Sequence, residues 1–181
     1  MRMSQAEKDK SHARIVASAS RLLRERGVDG TSVSDVMNEA GLTHGGFYKH
    51  FANKDALMES ALDAAFATFS AMLDGDQPDA TSAFRELYLS DKHVRNPGRG
   101  CPVAAVGQDI GRGPTQLKTA FGRGVDHIVD AIAETMDGSA EDRRNAAFQQ
   151  FSMLVGAVVI ARGSDPQTAA EVLSAVSAAV G

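Results

Sequence analysis

Between Thr43 and Lys54 the run "THGGFYKHFANK" gathers two hydroxyls, two imidazoles and two ammonium groups around the glycine pair Gly45 and Gly46. Donors and cations without a carboxylate among them suit contact with a polyanion better than bond-breaking chemistry. A glycine in a helix interior costs roughly 1 kcal/mol relative to alanine. Two of them in one short segment imply that the missing Cβ atoms serve close approach of the backbone to another surface. Catalytic patterns are missing elsewhere. No Ser/His/Asp order, phosphate loop, metal-ligand spacing or carboxylate pair stands out, and His12, His44, His50, His93 and His127 are scattered. The sequence reads as a non-enzyme with no metal site and no cofactor.

The elements that must position this run are helices. The 181 residues contain no alternating Val/Ile/Thr run bounded by turn residues, so an all-α fold of about nine helices is expected. Ile15, Val16, Ala19, Leu22 and Leu23 fall at helical spacing, with Gly27 as a stop. Ser32 caps a second short helix carrying Val33, Val36, Met37 and Ala40 before Gly41. Thr43 is placed to cap a third, with Phe47 and Phe51 inward, and Asn53 a fourth reaching about Leu73. Further blocks at about 79–94, 102–110, 115–136, 140–161 and 166–180 are separated by glycine- and proline-bearing breaks, the first being "DGDQPD" at 74–79.

The turn "AGLT" between the second and third helices is the connection of a helix-turn-helix. With the apolar residues facing the first helix, His44, Gly45, Gly46, Tyr48 and Lys49 remain outward. Thr43, Tyr48 and Lys54 suit phosphate oxygens, whereas His44, Lys49 and the bare Gly45 suit base edges in a major groove. Charge follows the same division. Residues 1–56 hold nine Lys/Arg against seven Asp/Glu, and residues 57–181 hold ten against sixteen.

The run "GTSVSDVMNEAGLTHGGFYKHFANKDAL", residues 30–57, resembles the DNA-binding domain of the TetR family of bacterial regulators. The resemblance extends over the first 57 residues; beyond them only length and helicity are typical. It implies a DNA-binding domain over 1–57 and a ligand-binding and dimerisation domain over 58–181. It further implies a homodimeric repressor on a double-stranded, palindromic operator, released by a small hydrophobic or electrophilic effector. Carried over position by position, Thr31, Thr43, His44, Gly45, Tyr48, Lys49, His50 and Lys54 occupy places where family members touch DNA. "VMNEAG" departs from the family's usual Ile-Ala, which Met37 should accommodate by packing. A helical adaptor without DNA binding is the alternative that the spacing alone leaves open.

In the body, Phe66, Phe69, Met72, Val103, Val106, Phe121, Val125, Phe148 and Phe151 are candidates to line an effector cavity, with Gln108, His127 and Gln149 as polar fixtures. Each suits the filling of a core better than contact with a ligand. The blocks 140–161 and 166–180 are apolar on several faces and are expected to pair with their counterparts in a four-helix dimer interface. Cys101, directly before Pro102 and near Arg99, is a candidate redox or electrophile sensor if a helix start favours its thiolate. One cysteine excludes an internal disulfide, and no signal peptide or membrane-crossing stretch is recognised, so a cytoplasmic protein without membrane contact is expected.

Overall fold

Helix boundaries are written by side-chain caps at most junctions. Ser4 opens α1 (Gln5–Arg26) with a capping box shared with Glu7, and Gly27, at φ 75°, closes it. Ser32 accepts the Asp35 N–H to start α2 (Val33–Glu39), and Gly41 leaves it at φ 65°. A 3-10 stretch, His44–Lys49, follows. Asn53 accepts the Ala56 N–H at 2.8 Å to start α3 (Lys54–Ser70). Then come α4 (Ala80–Tyr88), α5 (Asp91–Arg95), a 3-10 turn (Pro97–Arg99), α6 (Pro102–Arg112), α7 (Thr115–Ala133), α8 (Ala140–Gly163) and α9 (Pro166–Val180). This computed structural model describes residues 4–71, 73 and 80–180, and no strand occurs among them.

Three expectations shift. The third helix is 3-10 throughout, and Thr43 makes no side-chain cap bond there. Two consecutive glycines raise the entropy lost in winding it as an α-helix. The block at 79–94 is two helices, because Ser90 ends one turn and caps the next through the His93 N–H. The fourth helix stops at Ser70 rather than Leu73. Met72 and the break at 74–79 lie outside the described residues.

One apolar core runs through the chain. Ile15, Leu22 and Leu23 of α1 pack with Val36, Met37, Phe47, Leu57, Met58 and Leu62, and the cluster continues into Phe66, Val106, Ile128, Phe151 and Val158. The helix α3 crosses the expected boundary at residue 57 without a break, so the two parts share one rod. Close backbone approach also joins α3 to α7. A Cβ on Gly124 would lie 2.3 Å from the Phe66 ring, which fills the space that side chain would need.

Among the described residues α8 alone is long and apolar enough, by length and composition, to cross a bilayer. Its Ala147, Phe151, Leu154 and Val158 side fills the core, and its first turns carry Glu141, Asp142, Arg143 and Arg144. It is a core helix whose other side remains exposed at Phe148, Met153, Val159 and Ile160.

Candidate nucleic-acid interface and effector cavity

Two arginines of α1 fasten the short α2. Arg21 pairs with Glu39 and Glu25, and Arg14 donates to the Ala40 carbonyl while lying over Gly41, where a Cβ would meet it. The Leu42 N–H returns to the Met37 carbonyl at 2.9 Å, which closes the turn. Phe47 is buried, and Phe51 stacks on His12 of α1 with ring centroids 4.7 Å apart. The aromatic pair thus sets the rotation of the 3-10 stretch and turns its opposite face to solvent.

That outer face carries His44, Gly45, Tyr48 and Lys49, all exposed, with Tyr48 the most exposed large apolar side chain at 72%. A Cβ on Gly45 would meet nothing within 4 Å, so the bare backbone there is not required by internal packing. Ser34 of α2 lies 3.1 Å from His44 Nδ1 and orients that imidazole. Thr43 is exposed as well, at the entry to the stretch.

Four expected contact residues are placed differently. Thr31 is fully buried and its hydroxyl donates to the Gly27 carbonyl at 2.7 Å, so it braces the α1–α2 turn rather than facing outward. Gly46 is half-buried, with Met37 Cε 3.6 Å from the position of a Cβ, and serves the packing of the stretch on α2. His50 is half-buried with Nδ1 unpartnered, and its pKa is lowered by burial and by the neighbouring His12, Lys8 and Lys49. Lys54 Nζ donates to the Val28 carbonyl at 2.9 Å, which ties α3 to the end of α1 and leaves two of its N–H groups for an outside acceptor.

In the body, a cavity of about 370 Å³ lies between α3, α4, α5 and the turn at 97–99. Phe69, Phe84, Leu87 and Tyr88 form its apolar wall, and Lys92, Asn96 and Arg99 stand where it opens to solvent. Of the twelve residues expected to line a cavity, eleven lie among the described residues, and of those Phe69 alone lines this one. Phe66 is buried edge-on to Phe121 at 5.7 Å, Phe151 is buried core, and Val103 packs half-buried against that core. Gln108 and His127 are exposed, so neither imidazole nor amide needs an internal partner. Phe148 is exposed under Arg144, whose guanidinium carbon lies 5.1 Å from the ring centroid. Periodicity marked these positions as apolar but could not say which space they fill.

His93, which sequence spacing did not single out for this site, links the cavity to the rest of the chain. Its Nδ1 lies 2.6 Å from the Tyr88 carbonyl and must donate to it, so its Nε2 accepts the Cys101 N–H at 2.9 Å. Burial holds its pKa below the ordinary value, against the effect of the Tyr88 bond. Arg162 of α8 donates to the carbonyls of His93, Val94 and Ala104, fastening α5 and α6 to α8. From α1, the buried Arg24 reaches the Gly100 carbonyl at 3.1 Å. The signal that could have pointed here is the arginine at an otherwise apolar position of α1, between Leu23 and the helix end.

Cys101 is fully buried, and burial pushes its thiol pKa up. The Tyr88 hydroxyl, the Val103 and Ala104 N–H groups of the α6 start and the Arg162 charge oppose that shift without overcoming it. Arg99 is exposed at the cavity mouth and is not among these influences. The expected thiolate is therefore corrected to a protonated packing thiol, because desolvation of the anion outweighs the helix start. Tyr88 Oη lies beside this thiol, buried and in hydrogen-bonding geometry with no group.

Residues 15–61 match the pattern of bacterial regulatory proteins of the tetR family. An uncharacterized HTH-type transcriptional regulator of Mycobacterium tuberculosis is 29% identical over 160 residues, 82% of each chain. The HTH-type transcriptional regulator TtgR of Pseudomonas putida is 32% identical over 93 residues, 49% of this chain and 44% of that one. A TetR-family regulator from Cytophaga hutchinsonii shares the fold with a TM-score of 0.76 at 18% identity, over 99% of this chain and 96% of that chain. The reduced form of Escherichia coli NemR does so with a TM-score of 0.73 at 18% identity, over 92% and 94%.

Proposed function

Because this chain belongs to the TetR family of bacterial transcriptional regulators, whose members regulate by binding DNA, we propose that it is a repressor that grips a palindromic operator as a homodimer and lets go when a small effector binds. The observation that carries the reading is the face formed by His44, Gly45, Tyr48 and Lys49, exposed together on a stretch whose opposite side is anchored by Phe47. Donors, a cation and a bare backbone at one edge fit a major groove: Tyr48 and Thr43 position on phosphates, and His44 and Lys49 read base edges. Residues 1–57 would do the reading, and residues 58–181 would bind the effector and the second subunit.

Dimerisation is supported by the exposed Phe148, Met153, Val159 and Ile160 on α8, together with the alanine-rich outer side of α9. Large apolar side chains exposed on α8, beside the small residues of α9, suit a four-helix seam between subunits. A two-fold pair of reading stretches would meet half-sites about 34–36 Å apart, one helical turn of DNA, or a multiple of it. The effector would enter the cavity between α3, α4 and α5. It would favour a dimer whose reading stretches no longer match that spacing, so DNA must weaken effector binding by the same factor. A regulator of chromosomal promoters acts in the cytoplasm and needs no membrane.

A gel shift with promoter fragments, read beside sedimentation at micromolar concentration, tests this. A retarded, competitor-resistant band from a dimer is expected. A monomer that retards nothing would instead favour a helical adaptor.

A further inference from the structure

Lys92 and Arg99 stand apart from the arginines of this chain that sit in ion pairs. Arg21, Arg95, Arg112, Arg123 and Arg144 each lie within salt-bridge distance of at least one carboxylate. Lys92 and Arg99 have no such partner among the described residues, although both border the same cavity. Asp91 is engaged by Arg95, and Glu25, which packs over Gly98, by Arg21. Two unneutralised cations at the mouth of an apolar, aromatic-walled cavity form the complement of an amphipathic anion.

We propose that the cavity takes a small carboxylate with an apolar ring or chain, its carboxylate held between Lys92 and Arg99 and its apolar part among Phe69, Phe84, Leu87 and Tyr88. Among the described residues no carboxylate lines the cavity, which gives a cationic ligand no counter-charge there. His93 cannot supply one, since both its ring nitrogens are used by the Tyr88 carbonyl and the Cys101 N–H. A volume of about 370 Å³ stands near the lower end of the range for ligand sites, which suits one ring system or a medium acyl chain. Arginine and lysine, a fork and a point charge, together suit a planar carboxylate.

The position of Arg99 says what such a ligand would move. Arg99 belongs to the 3-10 turn 97–99, whose Gly98 abuts Glu25 of α1 and whose next residue, Gly100, holds Arg24 of α1 through its carbonyl. An anion drawn to Arg99 therefore acts on the turn against which α1 rests. This consequence for DNA depends on the regulator reading above. The binding itself does not.

The test is calorimetry on the full chain without DNA, using three matched pairs: 1-naphthoate and 1-naphthamide, phenylacetate and phenylacetamide, octanoate and octanamide. At least one carboxylate should bind ten-fold or more tightly than its neutral amide. The double variant Lys92→Gln with Arg99→Gln should bring that carboxylate down to the level of the amide and leave the amide unchanged. The exchange Lys92→Arg with Arg99→Lys should keep most of the preference, and both variants should melt like the wild type, because the two side chains are exposed. Equal binding within every pair, no binding by any of the six, or a preference that survives the double glutamine variant would overturn the assignment. Gel shifts on the same preparation separate the two readings. Carboxylate preference without DNA binding would sink the regulator and keep the cavity, and DNA binding without the preference would do the reverse.

Discussion

Arg24 of α1 donates to the carbonyl of Gly100 at 3.1 Å, a buried hydrogen bond between residues 76 apart in sequence. It joins the helix that braces the His44–Lys49 stretch to the loop that borders the cavity. The same guanidinium donates to the Ser20 carbonyl at 3.1 Å, which fixes its direction. Replacing it with methionine keeps most of the apolar stem and leaves the Gly100 carbonyl buried without a donor. Arg24→Met should therefore destabilise the fold by about 2 kcal/mol, the range for a lost charged hydrogen bond with an orphaned partner. Urea denaturation checks it, and an unchanged midpoint would show that water replaces the guanidinium.

Gly45→Val should separate stability from DNA binding. A Cβ there meets nothing within 4 Å, so the melting temperature should hold or rise slightly as a poor helix former is removed. Operator affinity should fall at least about ten-fold, or roughly 1.4 kcal/mol, from collision with the duplex. Gly124→Ala is the converse control, because its Cβ would lie 2.3 Å from the Phe66 ring. Overpacking of that kind typically destabilises by about 1–3 kcal/mol. Equal melting of the two variants would contradict the assignment of the two glycines.

Tyr48→Phe removes a hydroxyl from an exposed ring and should weaken binding alike on operator and random DNA. Lys49→Ala, by contrast, should lose more on the operator than on random DNA if that ammonium reads guanine. Lys54→Ala carries a second effect, since the ammonium also holds the Val28 carbonyl. It should flatten the salt dependence by roughly one unit per half-site and lower stability modestly. Anisotropy titrations across salt concentrations distinguish the three, and a Tyr48→Phe loss confined to the operator would reassign that hydroxyl to a base.

Burial holds His93 below its ordinary pKa of 6.5. Between that value and the lower native one, the unfolded chain binds a proton that the native chain does not, so stability rises with pH across the window and is lost as pH falls through it. His93→Gln retains a donor and an acceptor without the titration and should make the acid-side slope of unfolding free energy shallower. The remaining slope includes His50, which is also held low by burial. A slope as steep as that of the wild type would remove His93 from the acid response.

Cys101, fully buried with its thiol pushed up by burial, should resist aromatic disulfide reagents in the native protein. Labelling should proceed only at the rate of local or global opening and accelerate in urea. Rapid native labelling followed by release from DNA would restore it as a sensor.

Composition and spacing by themselves determined the helical class, most helix ends, the turn after α2 and the outward set His44, Gly45, Tyr48 and Lys49. These are local matters. A cap bonds three residues away, and a helical face repeats every three or four residues, so the information lies within a short window. The 3-10 winding of His44–Lys49 and the inward fates of Thr31 and Gly46 depended on what α1 and α2 place against them. The cavity was decided only by tertiary structure. Phe66, Phe69, Phe84 and Phe151 are equally apolar in sequence, yet Phe66 lies over Gly124 while Phe69 borders open space. Cys101 depends on the fold in the same way: its place before Pro102 is local, but the burial that raises its thiol pKa is assembled from elements that meet only in the folded chain.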